Sequence, residues 1–468
     1  MHGHRPADEA GVLHATSICP RLVDEHRLLE GDMADLGGDP HKIDVLFMYM
    51  ANMAWNSAMN TAQTMRMLAD KDPATGEYRI PKLIYADAFD SETVAFADLV
   101  LPDTTYLERW DCISLLDRPI GNAHGPGDAI RQPVVQPDRD VRPFQDVLID
   151  LGARLRLPAF AHEDGQARYP GGYTDYIAHH ERKPGIGTLA GWRGAAGEKQ
   201  GRGEPNQGQL QAYVANGSFW RYELAPEETY MKPVNRAYLE RAQALGLIDK
   251  VEPIRLHLYA ETLQRFRLAA EGHGEVRPPA AHAERIRTYF DPLPFWYEPF
   301  EHVAADGFPL HAVTQRPMPM YHSWHSQNSW LRQIMARNRL YMNRRTAAEL
   351  GLQDGAWVWI TSPHGRVKAQ LGLMDGCAPD TVWTWNAIGK RAGTWSLCAT
   401  APESQRGFLL NHIIPELLPE QKGYRQANAD PVTGQAAWYD LRVRVEKAEA
   451  GLERCEPRFP PVQAREPA

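Results

Sequence analysis

The sequence predicts an α/β domain built on a doubly wound parallel sheet, followed by a β-rich region that favours a closed β-barrel. Short apolar runs alternate with helix-forming segments between residues 42 and 102, as they do in βαβ units. From about residue 310 the sequence changes to stretches with the composition and periodicity of strands. The 155–300 stretch between them is rich in polar residues, glycine and proline, which predicts mainly loops and connections.

The first domain is predicted as alternating strands and helices. Its elements are a strand over 45–51, a helix over 62–71, a strand over 81–87, a helix over 91–97 and a strand over 98–102. Met65 and Leu68 can share one face of the first helix, and Ser91 has the side chain of an N-cap for the second. Pro102 ends the third strand because proline lacks the backbone donor that a strand needs.

The loops that follow these strands are expected to face a ligand. In open parallel sheets, ligands bind beyond the carboxyl ends of the strands. The loops in question are 51–58, 86–93 and 102–109, and all are rich in short polar side chains. A glycine-rich segment at 185–209 misses the spacing of the dinucleotide fingerprint and follows no apolar strand, so it is not predicted to cradle phosphate.

The second half has the pattern of a β structure. Residues 355–374 predict a hairpin that turns at "SPHG", and in its second arm Val367, Ala369 and Leu371 alternate with polar residues. Residues 344–355 predict a short helix and a turn, and residues 380–386 a further strand. Alternation favours a closed barrel here but does not by itself exclude a sandwich.

The change in composition along the chain predicts five segments. They are a linker or truncated end over 1–41, an α/β domain over 42–160, an insertion and connector over 161–305 that contains a helix at 260–272, a β-barrel over 306–448 and a tail over 449–468.

Composition excludes several classes of protein. Hydrophobic residues make up 43% and charged residues 24% of the 468 residues, which is typical of globular proteins. The net charge of −8 predicts no nucleic-acid partner. No apolar run reaches the roughly 18 residues of a membrane span, so no direct membrane insertion is expected. The five cysteines are scattered without a C-x-x-C pair, which argues against a local iron–sulfur motif and is typical of a reducing, cytoplasmic compartment.

The stretch "TQRPMPMYHSWHSQNSWL" (314–331) is the most unusual in the chain. His322 and His325 lie three residues apart, as metal ligands can. No cysteine or carboxylate nearby supplies a third ligand, so no metal ligand and no catalytic residue is predicted here. The prolines and amides instead favour a loop around a polar ligand, and Trp324 and Trp330 are predicted to be packing residues.

Four segments carry a resemblance to a known family. In chain order they resemble elements of the molybdopterin oxidoreductases of the dimethyl sulfoxide reductase superfamily: "LVLPDTTYLERWD" (99–111), residues 131–155, residues 351–383 and "NADPVTGQAAWYDLRVRV" (428–445). The third is similar to their C-terminal pterin-dinucleotide-binding domain, a six-stranded double-psi β-barrel. The 314–334 stretch and "GKRAGTWSLC" (389–398) resemble sulfite dehydrogenases, whose near relatives are polysulfide, thiosulfate and tetrathionate reductases.

The resemblance implies the C-terminal half of a catalytic subunit that holds molybdenum bis(molybdopterin guanine dinucleotide). A [4Fe-4S] cluster and the protein ligand of the metal are expected only in the N-terminal half. The implied activity is oxidation of sulfite to sulfate by oxygen-atom transfer. Implied partners are that N-terminal half, a membrane anchor and an iron–sulfur electron-transfer subunit, with the enzyme at the inner face of the membrane. The alternatives are a polysulfide, thiosulfate or tetrathionate reductase, a non-catalytic cofactor-binding or assembly subunit, and an unrelated nucleotide-binding α/β enzyme.

The resemblance also implies cofactor contacts, because such a ligand needs amide, hydroxyl, guanidinium and carboxylate groups. In the α/β nucleotide-binding domain the expected contacts are Asn52, Asp87, Ser91, Glu92 and Thr93. In the 314–331 loop they are Thr314, Gln315, Arg316, His322 and Ser323. Further along the chain they are Asn386, Asn411, Asn428 and Gln435, with Lys390 and Arg391 placed to meet a phosphate or an oxyanion. For each of these residues the alternative is an ordinary turn, capping or surface role.

Overall fold

A computed structural model describes most of the chain. The described residues are 44–52, 54–55, 61, 65, 68–113, 120–121, 126–179, 209–215, 217–221, 224–244, 248–255, 258–278, 280–297, 306–391, 394–395, 397–401, 406–414, 428, 430–432 and 440–451. They form two compact units. Unit 1 is Met1–Tyr85, Phe89–Val100 and Leu258–Ala468, and unit 2 is Ala86–Ala88 and Leu101–His257. The five predicted segments remain a prediction.

The α/β part contains the three predicted strands. They are β1 (Val45–Tyr49), β2 (Lys82–Asp87) and β3 (Leu99–Pro102), hydrogen-bonded in the order β1-β2-β3. Met65 and Leu68 are helical and buried, as the predicted shared face requires. They pack with Met48, Leu83 and Phe96 in one apolar cluster.

The second predicted helix differs from its prediction. Residues Glu92–Phe96 form a 3-10 helix, and the Ser91 side chain makes no capping hydrogen bond. The Ser91 hydroxyl lies 3.1 Å from the Tyr85 hydroxyl instead. The segment is therefore held by buried side-chain contacts and not by an N-cap.

Unit 2 combines short antiparallel strands with helices. In chain order its elements are β4 (Asp111–Ile113), β5 (Ile120–Gly121), β6 (Pro126–Arg131), α1 (Phe144–Arg154), α2 (Tyr173–His179), α3 (Gln209–Ala215), β7 (Phe219–Arg221), α4 (Pro226–Thr229) and α5 (Arg236–Ala244). The strands are ordered β4-β6-β5, and β7 pairs with β6.

The "PDTTYLER" segment organises the start of unit 2. The buried Asp103 carboxylate pairs with Arg109 and accepts a hydrogen bond from the backbone N–H of Phe144 at 2.9 Å, which fixes the start of α1. Glu108 accepts hydrogen bonds from Nη1 and Nη2 of Arg139, and this lowers the pKa of Glu108 to about 2. The residues that carry one part of the family resemblance thus form a structural network.

The remainder of unit 1 holds the barrel. Its elements are α6 (Glu261–Glu271), α7 (Ala280–Tyr289), β8 (Leu310–Gln315), α8 (Ser329–Ile334), β9 (Leu340–Met342), α9 (Arg344–Glu349), β10 (Trp357–Ser362), β11 (Gly365–Leu373), β12 (Thr381–Trp385), a 3-10 helix (Leu410–Ile413) and β13 (Arg442–Lys447). Helix α6 ends at Gly272 in a left-handed conformation, as predicted.

The barrel is closed, which decides between the two arrangements that alternation had left open. Its strand order is β10-β11-β9-β12-β8-β13. The predicted hairpin pairs β10 with β11 and closes between Ser362 and Gly365. Inward residues such as Val358, Val367 and Leu371 form the barrel core. One outward residue departs from the pattern, since the Lys368 stem is buried and its ammonium reaches the Glu449 carboxylate at 3.2 Å.

Two tryptophans of the 314–331 stretch have different environments. Trp324 is buried, as predicted, whereas Trp330 is 77% exposed, so its predicted packing role is wrong within the part of the chain that the structure describes.

Among the described helices, none combines the length and the apolar character that crossing a membrane requires.

Candidate functional site

Two loops leave the barrel at the same end. Strands β8 and β12 are parallel neighbours, with Gln315 opposite Trp385, so the segments that follow them begin side by side. The backbone N–H of Asn386 donates to the Gln315 carbonyl at 2.9 Å and continues this pairing. The fold thus brings the predicted residues Thr314, Gln315 and Asn386 together.

The backbone of both loops is strained at several positions. His322, His325, Ala387 and Trp395 have φ values of 51°, 69°, 62° and 59°, in the left-handed region that residues other than glycine rarely adopt. Such residues persist where surrounding contacts hold them, and they concentrate at binding sites. The strain therefore marks these two loops as the candidate site of unit 1.

Lys390 joins the two loops. Its side chain is 2% exposed, and its ammonium donates to the Ser323 carbonyl at 2.5 Å. The same ammonium lies 3.7 Å from the centroid of the Trp395 ring, in a cation–π contact. Phe89 packs against His325, Trp324 and Trp395 with ring centroids 5.6, 5.2 and 5.9 Å away. A buried positive charge thus lies within an aromatic cluster.

Glu92 is the centre of a second network. Its side chain is fully buried. One carboxylate oxygen accepts from Asn52 Nδ2 at 2.7 Å and from Trp395 Nε1 at 2.8 Å. The other lies 3.2 Å from the backbone N of Arg391 and 3.3 Å from the hydroxyl of Thr394. The carboxylate thereby links the end of β1 to the 391–395 segment.

The network continues through Asn52 and Thr93. The Asn52 side-chain oxygen accepts from the backbone N–H of Thr93 at 3.2 Å and from its hydroxyl at 2.8 Å. The Thr93 hydroxyl oxygen accepts from the backbone N–H of Ala54 at 3.0 Å. Asn52, Glu92 and Thr93 are therefore brought together, and their polar groups bind one another. Their predicted contact with a cofactor remains a prediction.

The two histidines of the 314–331 loop have lowered pKa values, which favours the neutral ring. Burial and then the charge of Arg316 lower the pKa of His322, and burial and then Lys390 lower that of His325. A neutral imidazole offers one donor and one acceptor. Over the described residues, no three His, Cys, Asp or Glu side chains are grouped as a metal site.

The other predicted residues lie in different surroundings. Asp87 is buried at the end of β2 and belongs to unit 2, where its carbonyl accepts from the backbone N–H of Asp103. Asn411 and Asn428 are buried in unit 1, and Arg316 is exposed. Gln435 lies outside the described residues.

Sequence reasoning missed His412. It is 1% exposed, and among the described residues neither of its ring nitrogens has a hydrogen-bond partner. Burial lowers its pKa to about 3, so the ring is neutral. Its ring meets that of Trp55 edge-on at 4.7 Å, and Trp55 Nε1 donates to the Gly389 carbonyl beside Lys390. Nothing in the spacing of residues 55, 389 and 412 indicates this contact, because only the fold brings them together.

The unpaired hydrogen-bond donors and acceptors of these segments fit a large polar ligand. Buried polar atoms without a partner in the described structure include Asn386 Oδ1, Arg391 Nη1, Ser326 Oγ, Gln327 Oε1 and both nitrogens of His412. An unpaired buried polar group costs roughly 1–3 kcal/mol, so several in adjacent segments indicate that another molecule satisfies them. Amide, hydroxyl, imidazole and guanidinium groups are those that heterocycles and pyrophosphate require.

Known proteins resemble the chain in the same region and beyond it. Residues 310–424 match the protein family described as Molydopterin dinucleotide binding domain. A sulfite dehydrogenase subunit of Allochromatium vinosum is 54% identical over 91% of this chain and 44% of its own length. The thiosulfate reductase molybdopterin-containing subunit PhsA of Salmonella typhimurium is 25% identical over 71% of this chain and 37% of its own length. The chain thus spans less than half the length of these relatives.

A solved structure has the same fold. Acetylene hydratase from Pelobacter acetylenicus superposes with a TM-score of 0.51 at 17% sequence identity, over 89% of this chain and 46% of the other. At this identity the likeness concerns the fold alone.

Proposed function

We propose that this chain is the cofactor-holding part of a molybdopterin oxidoreductase that oxidises sulfite to sulfate. The observation that carries the proposal is its 54% identity to one subunit of a sulfite dehydrogenase over 91% of its length. The cofactor that fits the family domain and the unpaired donors and acceptors is molybdenum bis(molybdopterin guanine dinucleotide).

The barrel-end loops supply the groups that hold this cofactor. Arg316 is exposed at the end of β8 and offers a planar, bidentate donor for pyrophosphate oxygens. Asn386 and neutral His322 offer donors and acceptors for the edges of the heterocycles. When bound, the cofactor supplies a metal centre that takes part in oxygen-atom transfer and accepts two electrons.

The proposal also covers the type of barrel and the type of α/β domain. The closed six-stranded barrel is proposed to be a double-psi barrel, and the β1-β2-β3 sheet part of a doubly wound nucleotide-binding domain. Asp87, Ser91, Asn411, Asn428 and Gln435 are proposed as additional contacts with guanosine or pterin. Their surroundings in the fold permit this role without requiring it.

The complete enzyme is proposed to need further polypeptide. The partners are one that matches the rest of the relatives' length and carries a [4Fe-4S] cluster, a membrane anchor and an iron–sulfur electron-transfer subunit. Electrons from sulfite would pass through these partners. The proposed location is the cytoplasmic face of the membrane.

The proposal is tested by co-expressing this chain with a polypeptide that matches the remainder of the relatives. We expect the purified complex to contain molybdenum and guanine-containing pterin and to reduce a dye when sulfite is added. Thiosulfate and tetrathionate with reduced dye are the comparison substrates. Turnover of these alone would assign the chain to the reductases, and a complex that folds without molybdenum or pterin would refute the proposal.

A further inference from the structure

Lys390 is a buried cation, and it lies close to Trp395, whose backbone is strained. The Lys390 ammonium is kept between the Ser323 carbonyl and the Trp395 ring, and Trp395 itself has φ of 59°. A long, flexible side chain loses about 1.5–2 kcal/mol of conformational entropy when it is immobilised, and burying its charge adds to that cost. Other residues must therefore contact Lys390 or Trp395 to hold them in this conformation.

Glu92 provides those contacts. Three groups of the 391–395 segment lie within hydrogen-bond distance of its carboxylate: the backbone N–H of Arg391, the Thr394 hydroxyl and the Trp395 indole N–H. The indole that donates to Glu92 is the same ring whose face carries the Lys390 ammonium. Glu92 thus acts on Lys390 through Trp395.

We infer that Glu92 is a positioning residue that holds the Lys390 ammonium between the Ser323 carbonyl and the Trp395 ring, as an anchoring charge for an anionic group at the barrel-end loops. Each Glu92 oxygen already has two polar neighbours, so the carboxylate has little capacity left for a ligand. Identifying the anion as sulfite rests on the proposed function, whereas the positioning of Lys390 does not.

Glu92→Gln tests the inference with little change in shape. The glutamine NH2 group can take the place of either Glu92 oxygen. In one orientation it faces the Asn52 and Trp395 donors, and in the other it faces the backbone N–H of Arg391. We expect acylation of Lys390 in the full chain, followed by peptide mass spectrometry, to accelerate on the order of tenfold, because one charge-assisted hydrogen bond is lost. The exposed Lys447 serves as the internal reference.

Two further variants distinguish a specific effect on the position of Lys390 from a general loss of stability. In Asn52→Asp combined with Glu92→Gln, the glutamine NH2 can donate to the new carboxylate while its oxygen accepts from Arg391 and Thr394. Trp395 Nε1 then faces a donor, so we expect stability to recover and Lys390 to stay more reactive than in the wild type. Asp98→Asn is the matched control. Its carboxylate accepts from the backbone N–H of Leu83 in the same unit, so it should lower stability and leave Lys390 protected.

If Glu92→Gln does not fold, Trp395→Phe removes the indole N–H together with the pyrrole ring and leaves a smaller aromatic ring for the cation–π contact, and acceleration of Lys390 acylation is again expected. Acylation at the wild-type rate in folded Glu92→Gln, or equal acceleration in Asp98→Asn, would overturn the inference. In the assembled enzyme, Glu92→Gln should raise KM for sulfite more than it lowers kcat. A wild-type complex that does not act on sulfite would remove the substrate assignment but leave the acylation result standing.

Discussion

At the scale of single residues, His412 shows how burial without a partner can be read as a ligand signal. A buried histidine that serves only the fold is normally hydrogen-bonded, and replacing it then lowers the free energy of unfolding because that bond is lost. His412 has no such bond among the described residues, so its two ring nitrogens lower the stability of the ligand-free fold.

We therefore expect His412→Leu, measured at pH 7.5, to leave the free energy of unfolding of the cofactor-free chain unchanged or to raise it by about 1–3 kcal/mol, because no hydrogen bond is lost and two unpaired buried nitrogens are removed. Asn338→Leu is the contrasting control. Asn338 is equally buried but binds the carbonyls of Trp385 and Phe408 and the Thr384 hydroxyl, so it should cost about 2–4 kcal/mol. Urea unfolding measures both, and an equal loss in the two variants would contradict the ligand interpretation.

The same histidine predicts a dependence on pH. Its pKa is about 3 in the folded chain and near 6.5 when unfolded, so the unfolded state binds more protons between these values. Stability should fall as the pH drops from 6.5 towards 3, and His412→Leu should flatten that part of the profile. Unfolding midpoints measured at a series of pH values check this, and parallel profiles for the two proteins would exclude His412 as the source.

At the scale of secondary structure, Gly407 controls how closely two segments approach. It has φ of +85°, and a Cβ added there would lie 3.1 Å from backbone atoms of Ile388 and Gly389, the residues before Lys390. Gly407→Ala should cost about 1–3 kcal/mol and raise Lys390 acylation, because backbone must move. Gly272→Ala is matched in backbone strain but meets nothing within 4 Å, so it should lower stability less and leave Lys390 unchanged. Equal effects would show that strain alone is responsible.

Elements with local signals were predictable, and contacts between distant segments were not. The hairpin at 355–374, the helix that ends at Gly272 and the three strands of the α/β part depend on periodicity and turn residues that lie within one window of sequence. The 91–97 segment has a capping residue, yet Glu92–Phe96 is a 3-10 helix and the Ser91 hydroxyl contacts Tyr85 instead of capping it. The Trp330 prediction failed because hydrophobicity does not reveal which side of a short helix faces solvent.

At the scale of the whole molecule, the candidate site depends on long-range closure of unit 1. The barrel strands bring residues 315 and 386 together, and Glu92 contacts Arg391, Thr394 and Trp395 about 300 positions later. The family resemblance, together with their polar side chains, was what nominated Thr314, Gln315, His322 and Asn386 from the sequence. The hydrogen bonds of Glu92 were not predictable, since no local pattern encodes a partner so distant.

This closure predicts where a bound cofactor should protect the chain. Apart from Asp87, the described candidate residues belong to unit 1, and the unpaired buried atoms of the barrel-end loops belong there too. Ligand that binds only the folded site stabilises it against local opening. Hydrogen–deuterium exchange of the complex, with and without cofactor, should therefore slow most in peptides that cover 316–328, 386–395 and 406–414. Helices α1 and α5 of unit 2 are the internal controls and should change little.

The peptide containing Asp87 is informative in its own right, because slower exchange there would support the predicted guanosine contact. Protection confined to α1 and α5 would mean that the barrel-end loops do not hold the cofactor.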